Sequence, residues 1–216
     1  FNISFGNEYS NPICYSGRIY YKQICGTLVL LKDIEIPSNT DVPDYSFYNC
    51  KCLETIEFLP SNSYQTVGKS AFELCEYVSY LNMSRGRVKT IGDRAFMGLL
   101  SEEGSSMWQY SLYIPDTVTT IGKKAFADLG YNHVSTSILL GEGIKTIGEK
   151  AFENAKISDV YFKGTMSQWV DIDFGDLYAN PLYQNNCSLY IIKTEQRFGG
   201  NIMKKRYRVN YKRVIT

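Results

Sequence analysis

The chain contains one histidine, His133. It sits in Gly130-Tyr131-Asn132-His133, a polar stretch with no nucleophile motif beside it. Serine or cysteine nucleophiles need a positioned base and a third group to orient that base. A lone histidine in a loop supplies neither arrangement. Gly-x-Ser-x-Gly, His-Glu-x-x-His and Gly-x-x-x-x-Gly-Lys are all absent. The adjacent carboxylates Glu102-Glu103 lie in a Gly/Ser-rich segment, poor support for an acid/base pair that must be held rigidly. Asp33, Glu35 and Glu57 form an acidic trio without a closed oxygen-ligand pattern, and read as a solvated face. None of the six cysteines shows a zinc half-site spacing. The sequence therefore predicts no catalytic residue, no metal and no cofactor. Asn2-Ile3-Ser4, Asn82-Met83-Ser84 and Asn186-Cys187-Ser188 are formal glycosylation sequons.

What the chain does contain is repetition. A five-residue offset recurs as Val42–Phe47, Val67–Phe72, Ile91–Phe96, Ile121–Phe126 and Ile147–Phe152. The last three are nearly one phrase: Ile91-Gly92-Asp93-Arg94-Ala95-Phe96, Ile121-Gly122-Lys123-Lys124-Ala125-Phe126 and Ile147-Gly148-Glu149-Lys150-Ala151-Phe152. The phenylalanines lie 25, 24, 30 and 26 residues apart. A period in that range means a solenoid, in which each repeat leans on its neighbours for its core. The five phenylalanines should stack through the interior as an aromatic spine. Ala71, Ala95, Ala125 and Ala151 leave room where coils touch. Gly68, Gly92, Gly122 and Gly148 supply either a special backbone conformation or a close approach. Cys50 and Cys75 share a slot with Leu99, Leu129 and Ala155, three residues after each phenylalanine, so the slot is buried and apolar. Cys14 and Cys25 are candidates for a disulfide, and Cys187 reads as unpaired.

Upstream of each phenylalanine, two apolar residues bracket one polar residue, the alternation of a half-buried strand. The register runs Ile34/Ile36, Ile56/Phe58, Leu81/Met83, Leu112/Ile114, Ile138/Leu140, Val160/Phe162 and Leu189/Ile191. Successive strands enter in the same direction, so a single parallel sheet is expected. Pro37 and Pro115 end their strands, because proline cannot donate to the ladder. The bracketed outward row is Glu35, Glu57, Asn82, Tyr113, Leu139, Tyr161 and Tyr190, with Asp33, Thr55, Tyr80, Ser111, Ser137, Asp159 and Ser188 in the next row.

Ile114-Pro115-Asp116-Thr117-Val118-Thr119-Thr120-Ile121-Gly122-Lys123-Lys124-Ala125-Phe126 closely resembles the working phrase of the BspA-like class of leucine-rich repeats. Val160-Tyr161-Phe162-Lys163-Gly164-Thr165-Met166-Ser167-Gln168-Trp169 resembles the ending of such arrays. The resemblance covers about residues 28–192. The first repeat departs from it, with Val42-Pro43-Asp44-Tyr45-Ser46-Phe47 lacking the Gly and Ala. The resemblance implies a leucine-rich-repeat right-handed coil, β-rich, with a parallel sheet on one face and short turns or helical segments on the other. It also implies a noncatalytic, secreted or cell-surface location and adhesin-like recognition of a protein or glycan.

The expected organisation is an N-terminal cap over 1–27, the solenoid over 28–192 and a basic C-terminal cap or tail over 193–216. Eight Lys or Arg and one acid follow from Lys193 onward, net +7, within a total of only +1. That leaves −6 on the first 192 residues. The bland reading of the tail is a solvated edge strand, since lysines on an edge discourage aggregation. The rival reading is an anionic-polymer site, with nucleic acid disfavoured as partner. No apolar run approaches the roughly 18 residues a membrane span needs. The candidate ligand-binding residues are Tyr80, Tyr113, Tyr161 and Tyr190 on the outward rows and Trp108 at the end of the inserted 101–109 segment. Exposed aromatics beside small hydroxyl residues suit recognition. Ordinary strand preference for tyrosine is the competing explanation. A third reading makes the chain a structural spacer in a larger surface protein.

Overall fold

A computed structural model describes residues 14–15, 18–24, 27–30, 32–99, 111–130, 136–183, 187–194 and 204–209. Its strands are β1 (Cys14–Tyr15), β2 (Arg18–Ile24), β3 (Thr27–Leu30), β4 (Asp33–Ile36), β5 (Thr55–Phe58), β6 (Gln65–Val67), β7 (Tyr80–Asn82), β8 (Val88–Ile91), β9 (Ser111–Ile114), β10 (Thr120–Ile121), β11 (Thr136–Leu140), β12 (Thr146–Ile147), β13 (Ile157–Phe162), β14 (Asp173–Phe174), β15 (Ser188–Thr194) and β16 (Lys204–Val209). Among the described residues, one helical segment, α1 (Met166–Val170), and a 3-10 turn (Leu177–Ala179) lie in the last coil.

The expected strands form in the expected register. Asp33, Thr55 and Tyr80 are mutual partners, as are Glu35, Glu57 and Asn82. Tyr113, Leu139, Tyr161 and Tyr190 pair in line. The strands end at Ile36 and Ile114, directly before Pro37 and Pro115. The sheet is not continuous, however. Among the described residues, β4-β5-β7 is one three-stranded sheet, and β9-β11-β13-β15-β16 is another. The break falls between β7 and β9, where the longest repeat carries its extra residues.

A second wall is also a parallel sheet, ordered β6-β8-β10-β12-β14, and it runs unbroken past that point. Thr90 pairs with Thr120 there, and Thr120 with Thr146. These strands span only two to four residues. The expected turn is a third ladder. The N–H groups of Arg94, Phe96 and Gly98 donate to the carbonyls of Lys123, Ala125 and Ala127 at 2.8, 2.9 and 2.9 Å. Those of Lys124, Phe126 and Asp128 donate to Glu149, Ala151 and Glu153 at 3.0, 2.8 and 2.8 Å. Alternate backbone donors on this corner thus bond the next coil, while those of Ala95, Met97, Ala125 and Ala127 donate within their own turn to Gly92, Arg94, Gly122 and Lys124, the pairing a buried turn requires.

The five-residue phrase explains the corner, and of the two roles expected of its glycines it is the close approach that is found. Tyr45, Ser70, Arg94, Lys124 and Lys150 adopt left-handed backbone with φ of 51–58°. None of these is glycine, although each L-residue there costs about 1–2 kcal/mol. The axial hydrogen bonds and buried spine offset that cost. Gly122 instead answers a close approach: a Cβ on it would lie 2.6 Å from the backbone of Gly92 and Asp93 in the preceding coil. Gly175 repeats the feature one coil later, 2.6 Å from the Glu149 nitrogen, where the phrase itself is no longer recognisable.

The spine forms as expected. Phe47, Phe72, Phe96, Phe126 and Phe152 stack in sequence with centroids 5.1, 5.4, 5.4 and 5.7 Å apart and planes within 12° of parallel. Ala71, Ala95, Ala125 and Ala151 are buried beside them, as are Cys50, Cys75, Leu99, Leu129 and Ala155 in the shared slot. Trp169 is buried on α1, edge-on to Phe162 at 5.3 Å. Its helix starts on a reciprocal cap: Thr165 accepts from the Gln168 N–H, and Gln168 accepts from the Thr165 N–H. Cys187 has no disulfide partner, and burial beside Asp159 pushes its thiol up to about 12. Cys25 lies outside the described residues, so the Cys14–Cys25 pairing does too. Strands β1, β2 and β3 form an antiparallel meander.

Candidate recognition face

The outward rows are positioned by the buried residues between them. Leu112, Ile114, Ile138, Leu140, Val160, Phe162, Leu189 and Ile191 point into the core. Because strand side chains alternate, Tyr113, Leu139, Tyr161 and Tyr190 must point out. They stand in register on adjacent strands. Tyr113 and Tyr190 are three strand spacings apart, about 14 Å. All four are half-buried.

Each tyrosine is held differently. The rings of Tyr161 and Tyr190 stack at 5.0 Å with planes 18° apart. The Tyr113 hydroxyl accepts a 2.9 Å hydrogen bond from Lys163 Nζ, which also bridges to Asp116 at 3.0 Å. Lys163 reaches them from two coils away. The coil between carries Gly141, whose absent side chain would lie 2.5 Å from the Asp116 backbone. Burial acts to lower the Lys163 pKa, but the Tyr113 and Asp116 oxygens outweigh it and hold the pKa above the ordinary value. Lys163 is therefore a fixed cation beside the tyrosine row.

Tyr80 is placed apart from the other three. It lies on β7 in the separate three-stranded sheet, in the Asp33–Thr55 row. It is 44% exposed, and its hydroxyl accepts from Asn82 Nδ2 at 3.1 Å. Its surroundings are acidic, with Glu57 bonded to Asn82 at 3.5 Å and facing Arg85 at 3.8 Å. Trp108, Glu102, Glu103 and His133 lie outside the described residues. Among the described residues, no three His, Cys, Asp or Glu side chains cluster to hold a metal ion.

The C-terminal basic segment, read from the sequence as an edge strand, is paired at the edge of this sheet. β16 pairs antiparallel with β15, bringing Arg208 opposite Tyr190 and Arg206 opposite Ile192. Nothing local in the sequence names β15 as the partner of this edge strand.

The pattern of registered coils has a counterpart among known families. The family described as BspA type leucine rich repeat region matches residues 22–103 and 104–176, in six copies. The chain belongs to this family. A solved structure of a leucine rich cell surface protein from Faecalibacterium prausnitzii A2-165 shares the fold, with a TM-score of 0.50 at 16% identity. The match covers 93% of this chain and 56% of that one, so the chain spans just over half of that protein's length. No curated protein matches the chain. Among the described residues, no helix of this leucine-rich-repeat chain is long and apolar enough to cross a membrane.

Proposed function

We propose that this leucine-rich-repeat chain is a noncatalytic recognition module, secreted or displayed at a cell surface, that binds a protein or glycan ligand through its strand face. The observation that carries this reading is the registered row Tyr113–Leu139–Tyr161–Tyr190, half exposed over a fully buried core. Rigid aromatic side chains provide contact area at low entropic cost. A fold alone names no ligand, so the reading rests on this row and on the surface location implied by the family. Tyr80 marks a separate, acidic segment of the same face. We keep the organisation as a cap over 1–27, the solenoid over 28–192 and a basic C-terminal element over 193–216.

The test is a binding screen of the purified chain against extracellular-matrix proteins and glycans at low and high salt. Saturable binding that withstands high salt and is lost on replacing Tyr113, Tyr161 and Tyr190 by Ala supports the reading. The variant must melt near the parent temperature. If its stability falls as far as its affinity, the tyrosines are packing residues and the reading fails. Absence of any ligand favours the spacer reading instead.

A further inference from the structure

The sequence presents an aromatic strand face and a basic C-terminal segment as rival sites. The register makes them neighbours. β16 pairs Arg208 with Tyr190, Arg206 with Ile192 and Lys204 with Thr194. Directly opposed residues of an antiparallel pair share a face. Leu189 and Ile191 are buried, so Tyr190 and Ile192 occupy outward positions, and the register sets Arg208 and Arg206 opposite them. Tyr207 and Val209 fall opposite buried Ile191 and Leu189. The strand reads Lys-Lys-Arg-Tyr-Arg-Val, with four cations and no acid.

We infer that the tyrosine row and β16 form one continuous face whose ligand is an acidic polysaccharide. The inference rests on the strand-face reading above and narrows it. Three features select this chemistry. The Tyr161 and Tyr190 rings stack on each other, so the surfaces they turn to each other are covered. Ring edges carry the positive end of the aromatic quadrupole, which favours anions and hydroxyl oxygens over a stacked base. Ser137, Asp159 and Ser188 run alongside the row as polar neighbours that fit a hydroxyl-rich chain. Finally, the register sets the cation-rich strand β16 at one end of the row, with Lys163 as a further fixed charge near the other. Asp159 on this face and Asp116 against Lys163 reduce the positive field without reversing it. Rows repeat at about 4.8 Å, an interval similar to one sugar unit in an extended polymer. A single-stranded nucleic acid stacks its bases on a succession of open ring faces, and here two of those faces are taken up by the Tyr161–Tyr190 stack.

The experiment measures binding of the full chain to immobilised polygalacturonate and to heparin, with dextran, poly-L-glutamate and oligo(dT) as comparison probes. The polygalacturonate and heparin arms separate carboxylate from sulfate recognition. We expect at least one of them to bind at least tenfold more tightly than any comparison probe. Arg206→Ala/Arg208→Ala should lower that affinity at least tenfold and flatten its salt dependence. Tyr190→Phe, which keeps the ring and its stack, should lower it severalfold at an unchanged melting temperature. Glu57→Gln, on the separate acidic segment, should leave it within about twofold. Binding of poly-L-glutamate or oligo(dT) equal to that of the acidic polysaccharides overturns the inference, as does binding of neither acidic polysaccharide. An affinity untouched by either the arginine or the Tyr190 change does so too. A protein or neutral-glycan ligand lost with the tyrosine-to-alanine variant but indifferent to the arginines overturns this inference while leaving the strand-face reading intact.

Discussion

Phe96 offers a quantitative test of the stacked interior. It is fully buried and sandwiched between Phe72 and Phe126, with both centroids at 5.4 Å and planes within 12° of parallel. Phe47, at the first registered position, is half-buried and stacks on Phe72 alone among the described rings. Truncating a buried phenylalanine to alanine costs about 3–5 kcal/mol, through lost transfer energy and the cavity left behind. Each aromatic pair adds about 0.5–1.5 kcal/mol. Phe96→Ala, losing two pairs inside closed walls, should fall at the upper end, about 5 kcal/mol. Phe47→Ala, losing one pair and less buried area, should cost about 2–3 kcal/mol. Urea unfolding of the full chain followed by far-ultraviolet circular dichroism reads both values. The central variant should also broaden the transition, because a weakened middle interface lets the two halves of a nearest-neighbour array unfold separately. Equal losses at the two positions, or a loss below about 2 kcal/mol at Phe96, would refute the claim that the spine is a load shared between adjacent coils.

Two further perturbations address the corner. Gly122→Ala places a Cβ 2.6 Å from backbone atoms of the preceding coil. It should destabilise by about 1–3 kcal/mol or more. Asp128→Gly, at φ 57°, relieves a left-handed residue worth about 1–2 kcal/mol, but it loses the Asn154 hydrogen bond and gains unfolded-chain entropy. Its net effect should stay below about 1 kcal/mol. Thermal melts that ranked these two in the opposite order would show that conformation, and not close approach, governs the glycines. The hydrogen bond from Lys150 lowers the Glu153 pKa against the opposing effect of burial, and Lys124 adds to the lowering. A depressed folded-state pKa gives stability that is present above the ordinary carboxylate value of about 4.3 and lost as pH falls through the folded value. Glu153→Gln should therefore flatten the acid limb of the urea midpoint against pH, and an unchanged limb would remove Glu153 as its source.

The repeat period and strand alternation carried most of the fold. Residues 34–36, 56–58, 112–114 and their counterparts could be set in register because alternation over three or more positions is visible in a linear sequence. The second parallel sheet was only half legible: Thr120–Ile121 and Thr146–Ile147 read as extended, but two residues cannot show a period or name a partner. The left-handed positions were hidden because Arg94, Lys124 and Lys150 are not residues that favour that conformation, so only the surrounding coils impose it. The division of the strand face also escaped, since ladder continuity between β7 and β9 is set by the packing of whole coils and leaves no mark in local alternation. For the candidate site, the Tyr113–Tyr161–Tyr190 row followed directly from alternation. Tyr80 fell into a different sheet for the reason just given. The approach of Arg208 to Tyr190 is a contact between antiparallel strands with the chain reversing between them, and local pattern carries no information about it.

The ladder geometry also turns coil number into a unit of length. From β9 onward neighbouring coils share the same three hydrogen-bonded walls, so a whole coil added or removed between β9 and β15 preserves the local ladder partners. It changes only the distance between the acidic segment around Glu35 and Glu57 and the cationic edge at β16. That distance can change only in steps of one strand spacing, about 4.8 Å. The array is in this sense a ruler: relatives with more or fewer coils would hold the same two ends at graded separations, and ligand span could diversify without any new contact being invented.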